Sequence, residues 1–124
     1  MKRIVFSHQI LKKEKLTQKD IAVIVKVCEK DIFKRIKGEN IPSESSLIKI
    51  YTTTIEGARR LVLVLDEVIN VGHFLFYRKK DDSIGKNISI KNPEFKKALH
   101  QYLKLWDKDM ENNKFEIIEL SNHT

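Results

Sequence analysis

The chain has 124 residues, 41% of them apolar and 33% charged, which excludes a disordered polymer and suits one folded domain spanning residues 1–124. Its 24 Lys and Arg outnumber 17 Asp and Glu, for a net charge of +7; that balance points to a polyanionic partner, although a solvated lysine surface accounts for it equally well. Cys28 is the only cysteine, so an intramolecular disulfide and a cysteine-based zinc cluster are excluded, the four histidines lack metal-ligand spacing, and no window approaches a membrane span.

The opening MKRIVFSHQILKKEK has no continuous apolar region before Lys12. The expectation is therefore a cytoplasmic protein without a signal peptide. Arg3 to Ser7 has β propensity and reads as an edge strand. A helix should start near Thr17, whose hydroxyl can cap the first turn with Asp20 three positions on. Ile21, Ile24, Val25, Cys28, Ile32, Phe33 and Ile36 then recur at spacings of three and four, an amphipathic stripe that can break near Glu29 into two helices. Gly38 ends it, and GENIPSESS forms a loop.

Residues 47 to 80 commit the chain to a shape. Ile48, Ile50, Thr52, Thr53, Thr54 and Ile55 form a β-branched run, Leu61 to Leu65 a second, and Val71 to Tyr77 a third. The breaks at Glu56-Gly57-Ala58 and Asp66 to Asn70 are too short for parallel crossovers, so an antiparallel meander is expected. A period of two puts Lys49, Tyr51 and Thr53 on one face of the first strand, and opposes His73, Leu75, Tyr77 and Lys79 to Phe74, Phe76 and Arg78 on the third. The second strand is apolar on both faces and therefore central. Residues 78 to 91 read as a polar, basic surface loop. Asn92 caps the last helix with Pro93 at its first position, and Phe95, Ala98, Leu99, Tyr102, Leu103, Trp106 and Met110 give its buried stripe. Asn112-Asn113 ends it, and Phe115 to Leu120 form a last short strand. The predicted class is α+β: a small antiparallel sheet, the meander plus edge strands, packed against an N-terminal helix or helical hairpin and a C-terminal helix.

This order of elements, with GARRLVLVLDE followed by HFLFYRKKDDSIGKNIS, resembles the RelE/ParE superfamily of bacterial toxins, particularly its HigB/RelE branch. Arg59-Arg60, Phe76-Tyr77-Arg78-Lys79 and Asn87-Ile88-Ser89 hold the places of the branch's glycine-plus-arginine strand, aromatic and basic residues, and Asn-Ile-Ser sequence. The chain departs from the pattern in its DDSIGK loop and in a threonine-rich strand where basic residues are usual. The resemblance implies a toxin of a type II toxin-antitoxin system, an endoribonuclease that cleaves messenger RNA on the ribosome. It also implies a reaction without metal or cofactor, in which the 2′-hydroxyl attacks the adjacent phosphate. Such chemistry needs cations at the phosphate and groups that move two protons. Lys49, Arg60, Arg78 and Lys79 are the candidates for charge stabilisation. Tyr51 and Tyr77 are candidates for base stacking, with Tyr77 counted in the catalytic set. His73 is the candidate for proton transfer, or equally a partly buried strand residue, and Lys80 and Lys86 are candidates for further RNA contact. Adjacent residues face opposite ways, so Arg78 and Lys79 cannot both project from one strand face. The resemblance also implies a cognate antitoxin that covers the basic face with a helix or strand.

A second pattern competes. Leu16 to Ile50 can be laid on a helix-turn-helix of the Xre/Cro repressor type, through LTQKDIA, Val27, Ile32, Gly38, Pro42-Ser43 and LIKI. On that reading Cys28 to Ile36 is the recognition helix, with Lys30, Lys34 and Lys37 near duplex DNA. Against it stand Lys26 where the turn often has Gly, Arg35 at a usually buried position, and threonines where a final helix belongs. A third reading keeps the toxin fold without nuclease chemistry, as in ParE-like proteins directed at DNA gyrase.

Overall fold

β-Branched residues crowd each other in a helix and pack well on a pleated sheet, and the central threonine, isoleucine and valine runs do form strands. A computed structural model describes residues 1–121. Its elements are β1 (Arg3–Ser7), α1 (His8–Glu14), α2 (Gln18–Glu29), β2 (Lys34–Ile36), β3 (Ser45–Thr54), β4 (Gly57–Asp66), β5 (Val71–Lys79), α3 (Pro93–Glu111) and β6 (Phe115–Glu119). The class is α+β, with six strands in one mixed sheet ordered β2-β3-β4-β5-β1-β6. The expected meander is present as β3, β4 and β5, and Leu61 to Leu65 of β4 are at most 2% exposed, as a central strand covered on both faces must be.

Two sequence expectations are corrected. β1 is not an edge: it runs parallel to β5 and antiparallel to β6, which takes the edge beyond it. Ile4, Val5 and Phe6 are all buried, a composition that suits an interior strand, and the whole stretch from α1 to β4 serves as the crossover that a parallel pair requires. The second half of the helical stripe is not a helix either. α2 ends at Glu29, Asp31 turns the chain at φ 55°, and Lys34–Ile36 becomes β2, paired with Leu47 to Lys49 of β3. Spacings of three and four over so short an apolar run cannot separate helix from strand. The segment instead pairs its backbone with the open edge of β3, and Ile32 is left 75% exposed. The segment Cys28 to Ile36 therefore holds no recognition helix.

The predicted starts of α2 and α3 are realised. Thr17 and Asp20 form a reciprocal capping box. The Asn92 side chain accepts from the Glu94 amide, and its own amide donates to the carbonyls of Ser83 and Asn87, so the cap also anchors the preceding loop. α1 has no side-chain cap of its own. Asp109 of α3 replaces it, accepting from the Ser7 hydroxyl, the Gln9 amide and the Gln9 side chain. Burial pushes the Asp109 carboxyl up, but these donors outweigh it and hold the group below the usual carboxylate range.

Register assigns the faces. Leu47, Lys49 and Tyr51 lie in rows with Val64, Val62 and Arg60, and then with His73, Phe76 and Arg78. α3 covers the β5 side of this face, where Phe76 stacks on Tyr102 and meets Phe95. The opposite face carries the rows Ile48-Leu63-Phe74, Ile50-Leu61-Tyr77 and Thr52-Arg59-Lys79. There Val23 and Val27 of α2 line a cleft with Thr52, Arg59 and Tyr77. A register shift between Val62 and Leu63 leaves Leu75 as the extra residue of a β-bulge. Simple alternation along β5 therefore fails: the bulge puts Phe76 and Arg78 on the Lys49 face and sends Tyr77 and Lys79 to the α2 face.

Asp109→Ala should destabilise the fold by about 2 kcal/mol, because it strands the buried Ser7 hydroxyl and the first donors of α1. Asp107→Ala, exposed on the same helix, should stay within about 0.5 kcal/mol of wild type. Urea denaturation of both variants provides the check.

Candidate functional site

On the half of the Lys49 face that α3 leaves open, cross-strand register builds a cationic corner. Tyr51 lies opposite Arg60, and one step along β3, Lys49 lies opposite Lys34 of β2. Tyr51 is 58% exposed, and its ring is flanked by the Arg60 guanidinium at 4.0 Å and the Lys49 ammonium at 5.0 Å from the centroid, both within cation–π range. The Arg60 Nη1 donates to the Arg59 carbonyl. Among the described residues, no carboxylate pairs with Lys34, Lys49 or Arg60. Hydrogen bonding from Lys49 is the main cause that holds the Tyr51 phenol below its ordinary value, against partial burial and with help from the positive fields of Lys49, Arg60 and Lys34. Cations on the ring compete with a stacked base for its faces.

Arg78 follows Arg60 in the same row, but two carboxylates occupy it. Its Nη2 donates to Glu14 at 2.7 Å and its Nε at 3.0 Å, while its Nη1 donates to Asp82 at 3.2 Å. The Glu14 side chain is 1% exposed and also accepts from the Tyr102 hydroxyl at 2.6 Å and the Tyr77 amide at 2.9 Å. Burial opposes the guanidinium's charge, yet Glu14, Tyr102 and Asp82 raise its pKa overall. Arg78 is thus a half-buried cation already paired with two carboxylates, not a free one.

The remaining sequence candidates do not join the corner. Tyr77 faces α2, where burial raises its phenol. Lys79 points to that same face at the strand end, beside Arg59, which is itself 8% exposed and paired with Glu56. Lys80 and Lys86 are exposed on the loop after β5. That loop folds tightly against the strand because residue 85 is Gly: a Cβ there would collide with the Lys79 carbonyl oxygen. His73 sits under α3, where the Trp106 Nε1 donates to its Nδ1 at 3.0 Å, and burial lowers its pKa to about 4. It is five positions before Arg78 on β5, roughly 15 Å along the strand. His73 is therefore a neutral hydrogen-bond acceptor beneath a helix, remote from the cations. Lys34 belongs by sequence only to the helix-turn-helix pattern; nothing near it in the chain signals that it meets Lys49, since that pairing exists only once β2 forms.

No family model matches the chain, and no curated protein or solved structure matches it. Among the described residues, no helix is long and apolar enough to cross a membrane.

His73 has a pKa of about 4 in the folded chain against 6.5 for the free side chain, so the unfolded state binds more protons between those values. Its contribution to stability is full above pH 6.5 and is lost as pH falls toward 4, on the order of 3 kcal/mol. Thermal melts at pH 7.5 and pH 4.5 should show that loss. His73→Gln, which keeps an acceptor for Trp106 without a titrating ring, should reduce the difference between the two melts.

Proposed function

We propose that this chain is a toxin-type endoribonuclease of the RelE/ParE kind, which cleaves messenger RNA on the ribosome in the cytoplasm through the corner of Lys34, Lys49, Tyr51 and Arg60. The observation that carries this reading is that Lys49 and Arg60 flank one exposed tyrosine ring, with Lys34 opposite Lys49 on the next strand, and that none of the three has a carboxylate partner among the described residues. Arg60 and Lys34 hold the phosphate and stabilise the charge that grows on its oxygens. Tyr51, whose phenol Lys49 holds below its ordinary value, takes the proton of the attacking 2′-hydroxyl, and Lys49 protonates the departing 5′-oxygen. The products are a 2′,3′-cyclic phosphate and a 5′-hydroxyl end. The chemistry draws on this chain's own side chains, and the expected regulator is a cognate antitoxin.

Loss of the helix at Cys28 to Ile36 removes the element by which a repressor would read DNA. No feature of the corner favours a gyrase-directed activity.

Induced expression in a bacterial host, with primer extension on an abundant transcript, tests the reading. Wild type should produce new cleavage sites. Lys49→Ala and Arg60→Ala should each slow cleavage by about 100-fold, and Tyr51→Phe by about 100-fold or more. His73→Gln should leave cleavage near wild type. Intact transcripts with well-expressed wild type, or full cleavage by Tyr51→Phe, would refute the assignment.

A further inference from the structure

The cleft between α2 and the β3–β4 hairpin, about 370 Å³ in volume, opens on the face of the sheet opposite the cationic corner. Arg59 lines it, although the residue is only 8% exposed. A guanidinium carries five N–H donors, and Arg78 spends most of its own on two carboxylates. Arg59 does not. Its Nη1 donates to the carbonyls of Glu56 at 3.4 Å and Ala58 at 3.3 Å, both long bonds. Its Nε and Nη2 make no hydrogen bond among the described residues, and neither atom is sealed from solvent. The one carboxylate within ion-pair range is that of Glu56, 3.7 Å from Nη2, which is 62% exposed and shared with Lys19 at 3.1 Å. The Nε–Nη2 edge is the fork by which arginine takes two oxygens of one anion side by side. Here that edge is left over.

The rest of the lining specifies the anion. Lys19, Lys30 and Arg59 face the cleft against Asp20 and Glu56, and Asp20 already accepts from the Thr17 amide in the capping box. Lys30 has no carboxylate partner among the described residues. The surplus is positive, which favours a dianion over a monoanion. Beside the cations stand the hydroxyls of Thr52 and Tyr77, which make no hydrogen bond among the described residues, and the methyl groups of Val23 and Val27. Free hydroxyls next to short aliphatic surface suit a body that carries its own hydroxyls on a carbon ring, and the volume is that of a small-molecule site.

We propose that this cleft binds a small phosphomonoester with a hydroxylated body, in chemical class a sugar phosphate. The Nε–Nη2 edge of Arg59 holds two phosphate oxygens, Lys19 and Lys30 balance the charge, and Thr52 and Tyr77 meet the sugar hydroxyls. The exposed Glu56 pairs contribute little, so the phosphate displaces that carboxylate from Arg59. The site lies across the sheet from Lys49, Tyr51 and Arg60 and does not rest on the function proposed for them.

The test is read without RNA. Ribose 5-phosphate is titrated into the full chain at pH 7.5, where a phosphomonoester is mostly the dianion, and binding is followed by NMR of the arginine Nε–H and valine methyl groups. The signals of Arg59, Val23 and Val27 should shift and saturate. Ribose and inorganic phosphate should each bind at least tenfold more weakly than ribose 5-phosphate. Arg59→Gln, and Arg59→Lys, which keeps the charge without the fork, should each weaken binding at least tenfold. Arg60→Gln, on the other face, should bind like wild type, so this result stands apart from any loss of RNA cleavage in that variant. Shifts confined to Lys34, Lys49 and Arg60 would assign the anion to the corner and overturn the proposal. So would inorganic phosphate binding as tightly as ribose 5-phosphate, or an absence of shifts at Arg59; these outcomes are measured on the wild-type chain and do not depend on how the Arg59 variants fold.

Discussion

The Glu14 carboxylate holds three elements in one place. It lies at the end of α1, is almost wholly excluded from solvent, and satisfies its oxygens with the Arg78 guanidinium, the Tyr102 hydroxyl and the Tyr77 amide. A buried carboxylate without such donors would be prohibitively unfavourable, so α1, β5 and α3 must dock together or not at all. The Tyr102 ring, aimed by that hydroxyl bond, stacks on Phe76 at 4.5 Å between centroids. That contact seats α3 on the β5 half of the sheet and leaves the β3 half open.

The same carboxylate decides which arginine is available. Arg60 and Arg78 are neighbours in one row of the sheet, with similar sequence surroundings of basic and apolar residues. Glu14 and Asp82 neutralise Arg78, while Arg60 rests on the exposed Tyr51 ring. A charge that is already paired in a buried site has little left to offer a phosphate, whereas an unpaired cation over an aromatic ring retains its field. The corner thus gathers charge partly because its neighbour is silenced.

The bulge at Leu75 has an equally specific effect. One extra residue reverses the alternation of β5 beyond Phe74. Phe76 enters the α3 interface and Tyr77 turns toward α2, while His73, on the near side of the bulge, stays beneath Trp106. The aromatic, basic run after His73 is thereby divided between opposite faces.

Much of the fold was legible in the residues themselves. Branched side chains and short connections determined the meander, capping residues determined where α2 and α3 begin, and the period of two placed Lys49 and Tyr51 together on β3, because each of these rests on interactions within a few positions of the chain. What the sequence could not disclose depends on partners far along it. β1 lies inside the sheet because β6, over a hundred residues later, covers it. Lys34 reaches Lys49 because an open strand edge recruits a segment whose spacing is equally that of a helix. Arg78 and His73 leave the set of free groups because Glu14 and Trp106 meet them through tertiary packing, and burial, which no local pattern encodes, decides their charge.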